Sequence, residues 1–285
     1  MPELPEIDHL RRSLEPVLLG SVVHRVSLTR PDIVRCSLSR TRRPEVRVRR
    51  TSLLMGERIE RLERHGKELA IVSRSGASVC VHLGMSGQLW HCPPGERLRR
   101  RDHVHCVWHL GERGRLVFRD PRRFGGLWCY PSLDDLTAVR WSRLGPDALR
   151  IDTGTLRQVL AGTRRSIKAT LLDQGVVAGI GNIYADEILF AAHIHPQSVA
   201  SVLPPDRYRR LAREIRRVLA AAIRSGGSTI RDYVDGNGGA GSYTRRHQVY
   251  GRAGQPCTAC GQVLRGITEA QRATVLFPGC QELFL

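Results

Sequence analysis

Residues 171–190, LLDQGVVAGIGNIYADEILF, decide how the second half of the chain folds. Apolar residues lead into the glycine-rich turn 175–181 and resume from Ile183 onward, so residues 166–192 read as two helices joined by a tight turn. Such a unit presents backbone N–H groups and the N-terminus of its second helix to a phosphate. A plain helical hairpin, whose glycines only permit close packing, leaves the same trace, and this stretch alone keeps both readings open.

Working outward, helical periodicity extends from about residue 137 to residue 224. It is clearest where Leu211, Ile215, Val218 and Leu219 share one face and Arg209, Arg210, Arg213, Arg216 and Arg217 the other. Upstream, residues 21–130 break into short β-like runs (22–23, 69–72, 79–81 and 115–118) punctuated by Gly, Pro and Arg, which predicts an antiparallel sandwich or barrel. Before these, Ile7, Leu10, Leu14 and Leu18 recur every three or four residues until Gly20, which predicts a leading helix. Downstream, the glycine-rich residues 236–241 read as a loop ahead of a cysteine-bearing tail, and no internal repeat is present.

A chain of 285 residues, 41% hydrophobic, is long enough for two domains with real cores. Its 45 Lys+Arg against 27 Asp+Glu give a formal charge of +18, which favours a polyanionic partner through counterion release; nucleic acid is the first candidate. No stretch reaches the roughly 18 apolar residues of a membrane span, and the N-terminus lacks the basic start and apolar core of a signal peptide, so the expected setting is the cytoplasm. Five of the eight cysteines (Cys36, Cys80, Cys92, Cys106 and Cys129) are scattered through strand-like segments and are expected to be buried thiols. Cys257, Cys260 and Cys280 crowd the tail and need a separate explanation.

The N-terminus, Met1-Pro2-Glu3-Leu4-Pro5-Glu6, joins an imino acid to two carboxylates at a helix start. With Met1 removed, Pro2 exposes a secondary amine whose pKa begins near that of an α-amino group, about 7.7–8.0, and a helix N-terminus lowers it. The neutral amine is a nucleophile for a sugar carbon, forming an iminium, and Glu3 is placed to move protons. Proline and glutamate in a first turn are also ordinary helix-start chemistry, so the motif needs company.

That company is PELPE at 2–6, HGK at 65–67, HLGMSG at 82–87, DPRRFG at 120–125 and LLDQGVVAGIGNIYADEILF at 171–190, followed by CTAC at 257–260 and CQ at 280–281, all in one order. Together they resemble the formamidopyrimidine-DNA glycosylase family across nearly the whole chain. The resemblance implies Pro2 as Schiff-base nucleophile, Glu3 as proton-transfer group, Glu6 as supporting carboxylate, and Lys67 as proton donor in β-elimination and phosphate contact. It implies that Met85, Arg122 and Phe124 fill the hole left by a flipped nucleotide. It further assigns phosphate contacts to Arg123, to the cluster Arg99, Arg100 and Arg101, to Arg164, Lys168 and Asn182 around the two-helix unit, and to Arg272 on a C-terminal hairpin near the lesion. Relatives tend to carry Lys-His where this chain has Arg100-Arg101.

The same family places four cysteines as Cys-x2-Cys, sixteen residues, Cys-x2-Cys around a structural zinc. Here Cys257, Cys260 and Cys280 keep the spacing, but Phe277 stands at the third position. Three thiolates leave the site open, to be closed by water or Glu282, or else Phe277 packs the hairpin without metal. The expectation is the metal-free hairpin, with less than one tightly held Zn2+ per chain and no diffusible cofactor.

The resulting expectation is an α+β chain. Residues 1–135 form a catalytic helix plus β-sandwich, 136–243 a helical domain with the helix-two-turn-helix, and 244–285 a zinc-finger-like β-hairpin. DNA is expected in the cleft between domains. The implied activity is that of a monomeric base-excision glycosylase and AP lyase, removing oxidised purines such as 8-oxoguanine or formamidopyrimidines from duplex DNA by β,δ-elimination. The rivals are an endonuclease VIII-like enzyme for oxidised pyrimidines and an inactive damaged-DNA binder. Leu4 and the Met85, Arg122, Phe124 set favour the purine branch, as does the loop 229–243, which resembles the segment covering the flipped base in purine enzymes. Retention of Pro2, Glu3 and Lys67 weighs against the inactive binder.

Overall fold

A computed structural model describes residues 2–36, 50–98, 102–229, 235–236 and 238–285. Its chain order is α1 (Leu4–Leu18), β1 (Arg25–Leu28), β2 (Val34–Cys36), β3 (Ile59–His65), β4 (Glu68–Ser73), β5 (Ser78–His82), β6 (Gln88–Cys92), β7 (Val104–His109), β8 (Arg115–Arg119), β9 (Gly126–Tyr130), α2 (Leu133–Val139), α3 (Thr153–Leu160), α4 (Ile167–Leu172), α5 (Asn182–Ala192), α6 (Pro205–Arg224), β10 (Arg265–Glu269) and β11 (Arg272–Leu276). The chain forms two compact units. One is Met1–Arg143 with Gly226–Ser242; the other is Leu144–Ser225 with Tyr243–Leu285.

In the first unit two sheets, ordered β1-β7-β8-β6 and β2-β9-β5-β4-β3, make the sandwich. All pairings are antiparallel except β2 with β9, which run parallel in register Val34 to Leu127, a departure from the uniformly antiparallel expectation. One core gathers Ile7, Leu10, Leu14 and Leu18 of α1 with Ile71, Val79, Val81, Leu89, Trp108, Phe118 and Leu127 from both sheets. Each such fully buried side chain is worth about 1.5–3 kcal/mol. Strand β4 is buried along its whole length because it serves two cores. Leu69 and Ile71 face the sandwich, while Ala70 and Val72 meet Leu136 of α2 on the other face. Of the five scattered cysteines, Cys80, Cys92, Cys106 and Cys129 are buried thiols, and the Cys36 side chain lies outside the described residues.

In the second unit α5 is almost wholly buried, and α6 turns its arginine-free face inward through Leu211, Ile215, Val218 and Leu219. Glu187 of α5 accepts the backbone N–H groups of Gln248, Val249 and Tyr250 at 2.9–3.0 Å, fixing the chain that leads to the β10–β11 hairpin. The grouping differs from the three expected segments. Residues 244–285 belong with the helices because Asp186 and Glu187 bind their backbone. Residues 226–242 return to the sandwich because α1 offers Glu6 and Ser13 as acceptors for the N–H groups of Ser228 and Gly236.

Candidate active site and nucleic-acid interface

The first turn of α1 is an unusually acidic buried place. Pro2 is buried, Glu3 is the N-cap residue, and Glu3, Glu6 and Asp8 are 2%, 1% and 4% exposed. Burying carboxylates is costly unless donors surround them. Glu6 Oε2 accepts the Glu3 N–H at 2.8 Å and Oε1 accepts the Ser228 N–H at 2.7 Å, so this one side chain joins the helix start to the returning segment. The approach requires Gly227. Its φ is +79°, and a Cβ there would fall 2.6 Å from Glu6 Oε1. Asp8 is satisfied by Arg12 at 2.7 Å and by Arg64, whose side chain is 5% exposed, at 3.3 Å.

Arg64 also donates to the carbonyl of Gly66 at 3.0 Å, so α1 grips the turn between β3 and β4. That turn is Gly66-Lys67, closed by the His65–Glu68 pair, with Gly66 at φ +54°. Lys67 therefore sits at the tip of a two-residue hairpin and is 8% exposed.

Two further loops carry the residues expected to occupy a vacated base position. Met85 and Phe124 are among the few exposed large hydrophobics, 41% and 55%, and the Arg122 guanidinium lies 4.7 Å over the Phe124 ring. The sequence did not show what holds these loops together. Asp120, fully buried, accepts Ser86 Oγ and the Gly125 N–H, each at 2.7 Å, while its carbonyl accepts His105 Nε2 at 2.8 Å. Ser86 Oγ also accepts the Arg122 N–H at 3.2 Å. An aspartate ahead of Pro121 in a short polar loop is the signal that could have marked it as the organiser. Arg123 is exposed, at φ +55°, and reaches Asp32 at 3.3 Å. Arg99, Arg100 and Arg101 lie outside the described residues, as do residues 230–234 and 237 of the 229–243 loop.

In the second unit Gln174 braces the helix-two-turn-helix. Its amide donates to the carbonyls of Leu172 and Ile180 and accepts the Gly179 N–H, all at 2.9 Å. Asn182 opens α5 and donates to the Ala273 carbonyl on β11 at 3.0 Å. Arg164 and Arg272 are exposed, the latter just past a two-residue turn in which Ala270 and Gln271 both take positive φ. Lys168, expected as a phosphate grip, lies inside the second unit rather than on its surface. It is fully buried, its ammonium 2.5 Å from Asp186 and 2.6 Å from Thr274 Oγ1, so it fastens α4 to α5 and to the hairpin. Burial pushes the Asp186 carboxyl up to about 6, against the pull of Lys168.

At the tail, the Cys257, Cys260 and Cys280 Sγ atoms lie within 4.8 Å of one another. Phe277, 7% exposed, packs with Phe190, Val249, Leu264 and Val275, and its ring fills the space where Gly279 would carry a Cβ. Glu282 is engaged with Arg207 at 2.6 Å, so the carboxylate considered for a fourth ligand is directed elsewhere. Three thiols and a packed phenyl ring do not fit a closed four-ligand structural zinc site.

The description "Formamidopyrimidine-DNA glycosylase N-terminal domain" matches residues 1–127, and "Formamidopyrimidine-DNA glycosylase H2TH domain" matches residues 144–234. The chain belongs to the formamidopyrimidine-DNA glycosylase family. Relatives of that name in Pseudomonas putida and Shewanella halifaxensis are 43% and 38% identical, over 99% of this chain and 100% of theirs. The fold is similar to the crystal structure of the MutM (Fpg) protein of Thermus thermophilus, at a TM-score of 0.83 and 38% identity, covering 98% of both chains. It is also similar to the Lactococcus lactis Fpg in complex with DNA containing an abasic site, at 0.85 and 31%, covering 98% of this chain and 99% of that one. No helix among the described residues is long and apolar enough to cross a membrane.

Proposed function

We propose that this glycosylase-family chain acts as a monomer in the cytoplasm, excising oxidised purines from duplex DNA and then cutting the strand. With Met1 removed, the Pro2 nitrogen attacks C1′ of the damaged nucleotide. The C1′–N9 bond breaks and the base leaves with a proton; the C1′–O4′ bond then opens, O4′ takes a proton, and a ring-opened iminium remains. Glu3 moves protons at base and sugar, and Glu6 holds the turn. Lys67 assists β-elimination across C2′–C3′, which breaks the C3′–O bond; δ-elimination then breaks the C5′–O bond and water releases the sugar fragment. Met85, Arg122 and Phe124 occupy the duplex where the nucleotide has left, while Arg101, Arg123, Arg164, Asn182 and Arg272 contact phosphates. Lys168 supports that grip from inside by holding the strand that carries Arg272.

The observation that carries this reading is the pair of buried carboxylates, Glu3 and Glu6, in the turn immediately behind Pro2. The two side chains form a capping box, but a capping box at a surface helix start does not require acids only 2% and 1% exposed. Borohydride trapping on duplexes bearing 8-oxoguanine, an oxidised pyrimidine or an abasic site tests it. The expected result is a covalent adduct on the 8-oxoguanine and abasic duplexes that Pro2→Gly abolishes. Binding without trapping, or preference for the pyrimidine lesion, would overturn it.

A further inference from the structure

Glu68, the residue after Lys67, is 7% exposed, and nothing in the reaction above uses it. Arg140 meets its carboxylate through two nitrogens, Nε at 2.8 Å and Nη2 at 2.5 Å. The Trp141 indole N–H donates at 3.1 Å and the Cys80 thiol at 3.4 Å. Burial, reinforced by the Glu68 charge, pushes the Cys80 thiol well up, so it remains a donor. Arg140 in turn lies 3.6 Å over the Trp128 ring. The Trp141 ring also stacks on His65, centroids 5.7 Å apart and planes 29° from parallel.

One indole thus touches both residues that flank the Gly66-Lys67 turn, His65 by its face and Glu68 by its N–H. Arg140 and Trp141 follow α2 directly, so the end of that helix is fastened to the lysine-bearing hairpin. A buried ion pair is a poor way to gain stability, since a well-packed apolar pair does as well. It is a good way to fix one geometry. A hairpin tip is also the place where a few tenths of an ångström of freedom would be felt by a proton donor.

Taking Lys67 as the proton donor of strand cleavage, we infer that Glu68 is a positioning residue, held by Arg140 and Trp141, that aims Lys67 for elimination and leaves base release largely untouched. Elimination is separable from the earlier steps: base release is followed on an 8-oxoguanine duplex, iminium formation and scission on a duplex with a preformed abasic site. Borohydride trapping reads iminium formation at Pro2, and single-turnover scission reads elimination.

Glu68→Gln should slow scission about ten-fold while the early trapped adduct stays within about two-fold of wild type. Trp141→Phe, which keeps an aromatic ring beside His65 and removes the N–H donor, should slow it about three-fold and guards against a folding failure of the first variant. Because Glu68 acts through Lys67, adding Glu68→Gln to Lys67→Ala should slow scission no further. The inference is overturned if adduct and scission fall by one common factor, if neither changes, or if the two substitutions multiply. Wild-type scission by Lys67→Ala would instead remove the role given to Lys67 itself, and an adduct surviving Pro2→Gly would remove the nucleophile, so the failures are distinguishable.

Discussion

Gly84 and Phe124 meet backbone to backbone. A Cβ built on Gly84 would fall 2.5 Å from the Phe124 carbonyl carbon and 2.8 Å from its oxygen, and Gly84 sits at φ +59°. The loop presenting Met85 and the loop presenting Phe124 are therefore one rigid surface, tied again by Ser86 to Asp120. Gly84→Ala should cost about 2–3 kcal/mol, combining left-handed strain with a clash against main chain that cannot step aside. All four tryptophans (Trp90, Trp108, Trp128 and Trp141) lie in the first unit, so denaturant melts followed by tryptophan fluorescence report this directly. Met85→Ala, at an exposed tip, should leave the melt within about 0.5 kcal/mol yet slow base release; equal stability losses for the two variants would contradict the rigid-surface account.

Glu6 receives two backbone N–H groups from opposite directions, and an amide can accept from only one of them. Glu6→Gln should destabilise the first unit by about 1–3 kcal/mol and reduce base release at least about 100-fold, because the helix start and the returning segment lose their common anchor. Gly227→Ala should reproduce the kinetic defect, since its Cβ would displace the same carboxylate. Retention of wild-type excision by Gly227→Ala would show that the contact is not needed for catalysis.

Much of this was legible in the sequence. The spacing of Ile7, Leu10, Leu14 and Leu18 gave α1 and its buried face, and the two-helix unit came from glycines at 175, 179 and 181. Local pattern failed where the partner lies far along the chain. Glycine-rich residues 236–241 look like a loop in sequence, and only the acceptors on α1 explain why their segment returns there. In sequence Lys168 reads as a phosphate ligand because its counter-charge, Asp186, and its hydroxyl partner, Thr274, are 18 and 106 residues away. The parallel β2–β9 pairing is equally silent, since strand periodicity carries no direction.

His82 Nδ1 accepts the Gly84 N–H at 3.3 Å, and burial lowers the ring's pKa below its ordinary 6.5. The unfolded chain therefore takes up the proton first as pH falls. The histidine's contribution is whole above pH 6.5 and is lost as acidification proceeds towards the lower folded value. The first unit should melt at a lower temperature at about pH 5.5 than at about pH 7.5, by tryptophan fluorescence. His82→Asn, whose Oδ1 takes the place of Nδ1 without titrating, should shrink that difference, and an unchanged difference would refute the assignment.

Restoring the missing thiol tests why the tail departs from the four-cysteine pattern. Wild-type protein, freed of loosely bound metal by a chelator, should retain well under one zinc per chain, because it offers three thiols and a packed phenyl ring stands at the fourth position. Phe277→Cys should raise this to about one chelator-resistant zinc, since it completes a tetrahedral set of four thiolates at the family spacing. In the absence of metal the same variant should lose about 3–5 kcal/mol of second-unit stability through the vacated ring space among Phe190, Val249 and Leu264. A full, tightly held equivalent in the wild type would overturn the reading of Phe277.

The Lys168–Asp186 pair separates support from contact at the nucleic-acid surface. A cation that neutralises a phosphate contributes about 0.9 to the slope of log affinity against log salt, whereas one buried against a carboxylate contributes nothing to that slope. Arg272→Ala and Arg164→Ala should each flatten the slope by about 0.9 with little effect on stability. Lys168→Met should weaken binding with the slope unchanged and should cost about 3–5 kcal/mol in stability, because it strands Asp186 in an apolar interior. Pairing it with Asp186→Leu should recover much of the stability, as no buried charge is then left alone. A slope that flattens on Lys168→Met would mean that the lysine leaves Asp186 and reaches the phosphates when DNA binds.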